Sequence, residues 1–557
     1  AQLTDRDGPD PHWHLARLFL GPKGGGLLAW PQRARRKGPP VHGGFLGGDR
    51  RLPFAGPQEF VGRRRLLQDC LRTLRRQEYA GLLLHGSGNL GKSSLAARVV
   101  DRMSTHQTVV MVGRFDGWNL IGAIHDKLGT DVGPWYERWK QCRDEQIGEA
   151  LRELFDRTLT DISGKRPLLL VLDDFEQMLV ARTSALHMVE PGVAGLMAGV
   201  VQAFRHASTR SRLLLTCRFK FTLRDDRGHE LSGALAPIPL ASFDEREATK
   251  RARREPAPAA GQVDLRGRCV LAHRGNPAVL GLLLRLASQD PPRCVRVLEK
   301  LEALEQTTQA LEDHALRDLL GKIAAGELLA SLGAGDRELF RRGLVFEAPL
   351  PVGVAPLLMV DEACEGDGER LIALGVWEER PDVVNGRAFT PNPLVRAYAV
   401  REGLGRVDDR QLRAMAGVLV PALCERWSAL RGRTGELSEA LADWEVVRLA
   451  RLVGDWQVAA DYGRLALAWK QRSAPIEDAR AWAKAYVEAL EAGGAELGAL
   501  LYRDVVKLHE HGGAGEFRHA CIEQGLRAVE REPALSLGER GLLLFARAHS
   551  HRQRGAL

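Results

Sequence analysis

The chain has 557 residues, 45% hydrophobic and 27% charged, the balance of a folded protein of several domains rather than a disordered one. A net charge of +8 on 79 basic and 71 acidic residues permits a nucleic-acid partner without requiring one. No run approaches about 18 consecutive apolar residues, which excludes a membrane-spanning helix, and eight scattered cysteines without a CxxC point to a reducing cytoplasm rather than a disulfide framework.

Residues 1–58 are rich in Gly and Pro. Two short apolar runs, His14–Leu20 and Leu27–Trp30, flank Gly21–Gly26 and read as a hairpin. A solvated tether carrying Arg33, Arg35, Arg36 and Lys37 follows. The chain opens without Met and without a signal-peptide pattern, so it is expected to be part of something longer.

From Phe60 to about Leu240, helix and buried strand alternate. Helices are expected over Arg64–Arg76 and from Lys92 to about Met103. Strands are expected over Gly81–His85, Val109–Val112, Leu168–Leu172 and Arg212–Thr216. Continuous apolar strands separated by helices predict a parallel sheet covered on both faces. Residues 241–330 read as helical. Residues 331–405 shorten into small helices with a two-stranded wing, Leu374–Glu378 and Arg387–Thr390.

Residues 406–557 read as stacked amphipathic hairpins, turning at Gly454-Asp455, Gly493-Gly494 and Gly512-Gly513. The fold class is therefore multidomain α/β plus α. Trp444, Trp456, Trp469 and Trp482 are expected to anchor the helix packing. His509 and His511, two apart, do not face each other on a helix and read as surface. Glu539–Arg554 reads as the first helix of a hairpin whose partner is absent, a second sign of a truncated chain.

Gly86-Ser87-Gly88-Asn89-Leu90-Gly91-Lys92-Ser93-Ser94 matches GxxxxGK[ST] between a strand and a helix. In such a loop the glycines let backbone N–H groups converge on a phosphate, and the helix N-terminus adds its positive dipole end. Lys92 can bridge the β- and γ-phosphates, and the Ser93 hydroxyl can ligate Mg2+.

The apolar run Leu168–Leu172 ends in Asp173-Asp174-Phe175-Glu176, placing acids at the C-terminal edge of a parallel sheet, where ligands bind. Asp173 is expected to hold Mg2+ through water. Asp174 or Glu176 is expected to orient or deprotonate the attacking water. Arg218, after the strand Arg212–Thr216, can reach the γ-phosphate and report its presence. Cys217 reads as a packing residue. The basic run Lys250–Arg254 reads as a solvated helix face, and the sixteen histidines show no paired-ligand spacing that would make a zinc site.

These motifs converge on a resemblance. Phe60-Val61-Gly62-Arg63 resembles the FVGR opening of the STAND class of P-loop ATPases, relatives of the AAA+ enzymes that include the NB-ARC and NACHT switches. Thr216-Cys217-Arg218 is similar to its sensor strand, and Gly275-Asn276-Pro277 to its GxP motif. Leu374–Glu378 with Pro391–Arg396 resembles its winged-helix domain, with Asn392 where members often carry a histidine. The C-terminal helices resemble a tetratricopeptide-type sensor by architecture. Residues 13–30 resemble the tail of a CHAT protease domain.

The resemblance implies five segments: the tail of an effector (1–58), a nucleotide-binding domain (59–240), a helical domain (241–330), a winged helix (331–405) and repeats (406–557). It implies ATP or ADP with Mg2+ as cofactor. Val61, Gly62 and Arg63 belong to the nucleotide-binding set, Pro277 touches the adenine, and Asn392 stands where a β-phosphate contact is made. It further implies a slow ATPase that senses a protein or peptide through its repeats and oligomerises in the ATP form to activate an N-terminal effector. Bacterial defence or stress signalling is the expected setting. A DNA-associated ATPase or transcription regulator is the alternative, motivated by the winged helix and the basic runs; a scaffold that binds nucleotide only for stability is the third reading. Nucleic acid is not the favoured partner.

Overall fold

Leu82, Leu83 and Leu84 put three large apolar side chains in a row, and such a run is stable as a strand only where both faces of the sheet are covered. In the computed structural model it forms β1 (Gly81–His85), followed by β2 (Gln107–Val112), β3 (Leu168–Asp173), β4 (Leu179–Ala181), β5 (His187–Val189), β6 (Arg212–Cys217), β7 (Phe221–Thr222) and β8 (Leu235–Pro239). The structure describes residues 60–553, apart from 89, 160–165, 182–186, 255–262, 308–312, 360–365, 382–386, 405–406, 429–435, 511–514 and 532–536, together with 4–5 and 8–9. It divides into two units, residues 1–44 and 45–557. In the first, Thr4–Asp5 and Gly8–Pro9 pair antiparallel. The hairpin and tether expected at 14–37 lie outside the described residues.

The main sheet has the order β8-β1-β6-β3-β2, all parallel. Leu82 and Leu84 pack with Cys70 and Leu74 of α1 (Arg64–Arg75) and Leu95 and Val99 of α2 (Lys92–Arg102). On the other face, Leu83 and Leu170 join the core formed by α3 (Gly117–Leu128), α4 (Gly133–Trp139), α5 (Ile147–Glu153) and α6 (Pro191–Arg205). The four expected strands are present. The fifth, β8, escapes a sequence reading because Pro237 and Pro239 remove two donors, a loss tolerated at the sheet edge it occupies. The short strands β4, β5 and β7 form a separate small sheet.

Five helices follow: α7 (Glu245–Ala252), α8 (Val263–Ala272), α9 (Pro277–Gln289), α10 (Pro291–Thr307) and α11 (Asp313–Ala330). Asp244 caps α7 in a capping box with Glu247, and Lys250 and Arg253 are solvent-exposed. Next come α12 (Ala334–Gly343), β9 (Leu350–Pro351), α13 (Gly368–Ala373), β10 (Trp377–Pro381), β11 (Arg387–Pro391) and α14 (Pro393–Arg401), the strands pairing as β9-β11-β10. The first wing strand thus begins three residues later than expected. Leu374 caps α13, and Gly375 leaves the helix at φ 77°, a conformation Gly adopts without strain. Trp377 then stacks on Phe389 with centroids 4.1 Å apart and lies against Gly343, where a Cβ would come within 2.8 Å of its ring.

The remaining helices are α15 (Asp409–Ser428), α16 (Glu436–Val453), α17 (Trp456–Ser473), α18 (Ile476–Ala492), α19 (Ala499–Leu508), α20 (Gly515–Arg531) and α21 (Leu537–Gln553), each packed on the next. The tryptophans fill the seams. Trp469 is buried, Trp482 lies 5.2 Å from Trp444 and stacks on Tyr486 at 4.5 Å, and Trp456 packs on Gly493, where a Cβ would fall 2.3 Å from its ring. His509 departs from expectation. It lies just past the end of α19, buried edge-on against Phe517, and burial lowers its imidazole to about 4. His511 and the turn at 512–513 lie outside the described residues.

Candidate functional site

The sheet order explains why the site forms where it does. β6 lies between β1, which leads into the phosphate loop, and β3, which ends in Asp173. The C-terminal ends of all three strands therefore meet at one edge. Gly86 takes φ 148° and its N–H donates to the Cys217 carbonyl at 3.3 Å, joining the loop to the end of β6. Gly91, at φ 85°, turns the chain into α2, whose N-terminus has no side-chain cap.

Lys92 is buried, and its ammonium donates to the carbonyls of Gly86 at 2.9 Å and Ser87 at 3.0 Å. Burial lowers its pKa from the usual value, with Glu176 opposing. Leu90 packs into the core and Ser94 follows Ser93 in the first turn of α2. Gly88 faces Arg218, whose Cζ would stand 3.6 Å from a Cβ there. Asn89 lies outside the described residues.

Asp173 is fully enclosed. Its Oδ1 accepts hydrogen bonds from Ser93 Oγ at 3.0 Å and from Thr216 Oγ1, while Oδ2 is buried with no partner among the described residues. Burial raises its carboxyl above the usual range. A buried carboxylate oxygen with nothing to bind costs free energy unless a ligand completes it. With the Ser93 hydroxyl alongside, this donor set suits a hard divalent cation. The residues present therefore fit Mg2+.

At Asp174 the chain turns through φ 53°, and the Asp174 N–H donates to Thr216 Oγ1 at 3.1 Å. Burial, then Asp173 and Glu176 beside it, push its carboxyl up to about 6. Glu176 holds Arg218: the guanidinium Nε donates to Oε1 at 2.9 Å and the Arg218 N–H to Oε2 at 3.2 Å. Thr216, absent from the candidate residues though its strand was recognised, proves to be the junction between the two acids. A threonine near the end of an apolar strand, in a chain with a second apolar strand that ends in acids, is the signal that could have found it.

On the other side of the loop, Val61 is buried, Gly62 has φ 74° and Arg63 has φ 53°. The Arg63 guanidinium donates to the Ala241 carbonyl at 3.0 Å and lies 4.9 Å over the Phe243 ring; burial lowers its pKa to about 10. The Phe243 N–H in turn donates to the Gly275 carbonyl at 2.9 Å. The next residue, Asn276, caps α9 through the N–H groups of Ala278 and Val279, and Pro277 opens that helix. Gly62, Arg63 and Pro277 are thus linked through Phe243.

Asn392 is not drawn into this cluster. Its Nδ2 donates to Glu378 Oε1 at 2.8 Å, and its Oδ1 caps α14 by accepting from Leu394 N at 3.0 Å and Val395 N at 3.4 Å.

A seam joins the sheet edge to the repeats. The Asp173 carbonyl, at the end of β3, accepts from Gly113 N at 3.0 Å. Three residues on, Asp116 caps α3, and its other carboxylate oxygen accepts from the Ile476 N–H at 2.6 Å. Asn119 donates to the carbonyls of Gln471 at 2.7 Å and Ala474 at 3.0 Å. Asp126 pairs with Arg472 at 3.2 Å.

Sheet order, phosphate loop and acidic strand end define a P-loop ATPase domain carried on a chain with a helical-repeat tail. Residues 59–190 match the AAA ATPase domain family, in agreement with the resemblance read from the sequence. The chain is also similar to a solved structure, a Signal Transduction ATPase with Numerous Domains (STAND) protein with a tetratricopeptide repeat sensor from Pyrococcus horikoshii. That similarity has 14% identity and a TM-score of 0.46, covering 89% of this chain and 65% of that one, so this chain spans less than two thirds of the other. A search of curated proteins finds no match. No described helix is long and apolar enough to cross a membrane.

Proposed function

We propose that the protein is an ATP/ADP-dependent signalling switch of the STAND kind. It binds nucleotide at 86–94, senses a protein or peptide through its C-terminal repeats, and oligomerises in the ATP form to activate an N-terminal effector in bacterial defence or stress signalling. The observation that carries this reading is the seam. The strand end that bears Asp173 is hydrogen-bonded to the segment that bonds the repeats through Asp116 and Asn119. A change at either end then biases the other, as a two-state element requires.

In this reading Lys92 exchanges the Gly86 and Ser87 carbonyls for phosphate oxygens. Ser93 and Asp173 hold Mg2+, which supplies charge neutralisation at the phosphates. Val61, Gly62, Arg63 and Pro277 enclose the adenine side. Arg218, held beside Gly88, is drawn to a γ-phosphate, and Glu176, released from it, takes the proton of the attacking water. Asp174, its carboxyl pushed up to about 6, positions that water. Hydrolysis is slow and resets the switch.

The test is binding and turnover of ATP and ADP by the wild type and Lys92→Ala, with the assembly size measured in each state. Larger assemblies with ATP that vanish in Lys92→Ala are expected. Nucleotide binding with no change in size would remove the switch and leave a nucleotide-stabilised scaffold.

A further inference from the structure

A cleft of about 1060 Å³ opens between the ATPase domain and the repeats. Trp118 of α3 and the segment from Tyr136 to Arg143 line one wall; α17 to α21 line the other. Most of the charge in its wall is internally paired. Arg464 donates to Asp504 at 2.8 Å, Arg503 donates to the same carboxylate at 2.8 Å, and Arg480 donates to the Leu508 carbonyl at 2.8 Å. Arg518 is different. It is 5% exposed and lines the cleft, and among the described residues its buried Nε has no hydrogen-bond partner and no acidic side chain pairs with it.

A buried guanidinium N–H without an acceptor carries a desolvation cost that an arriving anion would offset. Lys507 and Arg143, both exposed, add positive charge around the cleft. Its rim also carries Leu542 and Phe545 of α21, which among the described residues are 46% and 70% exposed. The volume lies just above what small-molecule pockets occupy, roughly 300–1,000 Å³. Its mouth combines positive charge with an apolar ledge.

We infer that this cleft is the binding site for an acidic peptide segment, one carboxylate seated on Arg518 and an apolar side chain resting on Leu542 and Phe545. The inference rests on the switch reading, for which it supplies the sensed ligand. Because both walls belong to the seam's two partners, an occupant touches α3 and the repeats at once. Its binding energy is therefore spent on their relative placement.

The test is a display selection of random dodecapeptides on the full chain, with Arg518→Gln as the counter-target. Selected sequences should be enriched in Asp and Glu and contain an apolar residue. A synthetic peptide of the selected sequence should bind Arg518→Gln at least about tenfold more weakly and Phe545→Ser several-fold more weakly, with affinity falling as salt rises. Arg518→Gln removes an uncompensated charge, so retained thermal stability is expected and confirms that the loss is local.

Enrichment of neutral or basic sequences, or equal enrichment on Arg518→Gln, overturns the proposal. So does a selection that yields nothing; if pyrophosphate then raises the melting temperature in an Arg518-dependent way, the site takes a small phosphorylated ligand instead. Lys92→Ala separates the two readings. Peptide binding that survives in a variant without nucleotide binding keeps the cleft whatever becomes of the switch, whereas intact nucleotide-dependent assembly without peptide binding sinks the cleft alone.

Discussion

The phosphate loop and the Asn392 turn each end a strand and open a helix, yet they treat their polar atoms in opposite ways. At Asn392 every side-chain polar atom is bonded: the amide donates to Glu378 and the carbonyl caps α14. At the phosphate loop the first turn of α2 has no side-chain cap, Lys92 folds back onto loop carbonyls, and Asp173 keeps a buried oxygen with no partner among the described residues. The Asn392 turn is satisfied as folded, whereas the phosphate loop keeps a buried oxygen that a ligand would complete in the proposed reading. The state of the cap therefore separates a turn that builds structure from one we propose to bind nucleotide, although both resemble nucleotide contacts in sequence.

Four substitutions probe that contrast. Lys92→Ala should weaken Mg2+-ATP and ADP binding at least about 100-fold by calorimetry, because the one cation enclosed by the loop is lost. An affinity within threefold of wild type would break the comparison at its stronger end. Glu176→Gln should lower ATP turnover at least about tenfold while nucleotide affinity stays. Unchanged turnover would leave Glu176 as no more than the partner of Arg218.

Asp174→Asn sharpens the contrast through pH. The folded carboxyl titrates at about 6 through burial and its acidic neighbours, whereas unfolded it titrates near 4. The folded state thus holds the proton more tightly, and stability is lost as pH rises from about 4 to about 6. Without nucleotide, Asp174→Asn should exceed wild type at pH 7 by on the order of 1–2 kcal/mol, after discounting for residual solvent screening. The gap should close toward pH 4 in denaturant titrations; a gap that does not vary with pH would refute the assignment. The smallest effect belongs to Asn392→Ala, which should cost about 1 kcal/mol of stability as a lost cap and leave ADP affinity within about twofold. A tenfold change in affinity would move Asn392 to the nucleotide side of the comparison.

Where chemistry is local in the chain, it could be read from the chain. The runs at 82–84, 168–172 and 212–216 declare buried strands, and 86–94 carries its own strand–loop–helix context. What escaped depends on distant residues. Pro237 and Pro239 disguise β8, which is a strand because it lies at an edge. His509 follows an amphipathic helix like a surface residue, yet α20 supplies Phe517 to bury it. Cys269 and Cys294 look scattered, but α8 and α10 bring their sulfurs to 3.7 Å. Arg518 is one basic residue among many until the fold buries its Nε with no acceptor among the described residues.

The seam has a consequence for how such a chain diversifies. Asp116 and Asn119 reach Ile476, Gln471 and Ala474 through main-chain atoms, an N–H and two carbonyls. What the ATPase domain recognises at these three bonds is the path of the backbone through the turn between α17 and α18, not the side chains there. Mutations that preserve that turn leave the bonds intact, so the sequence of the repeats can drift while the ATPase domain keeps its attachment to them.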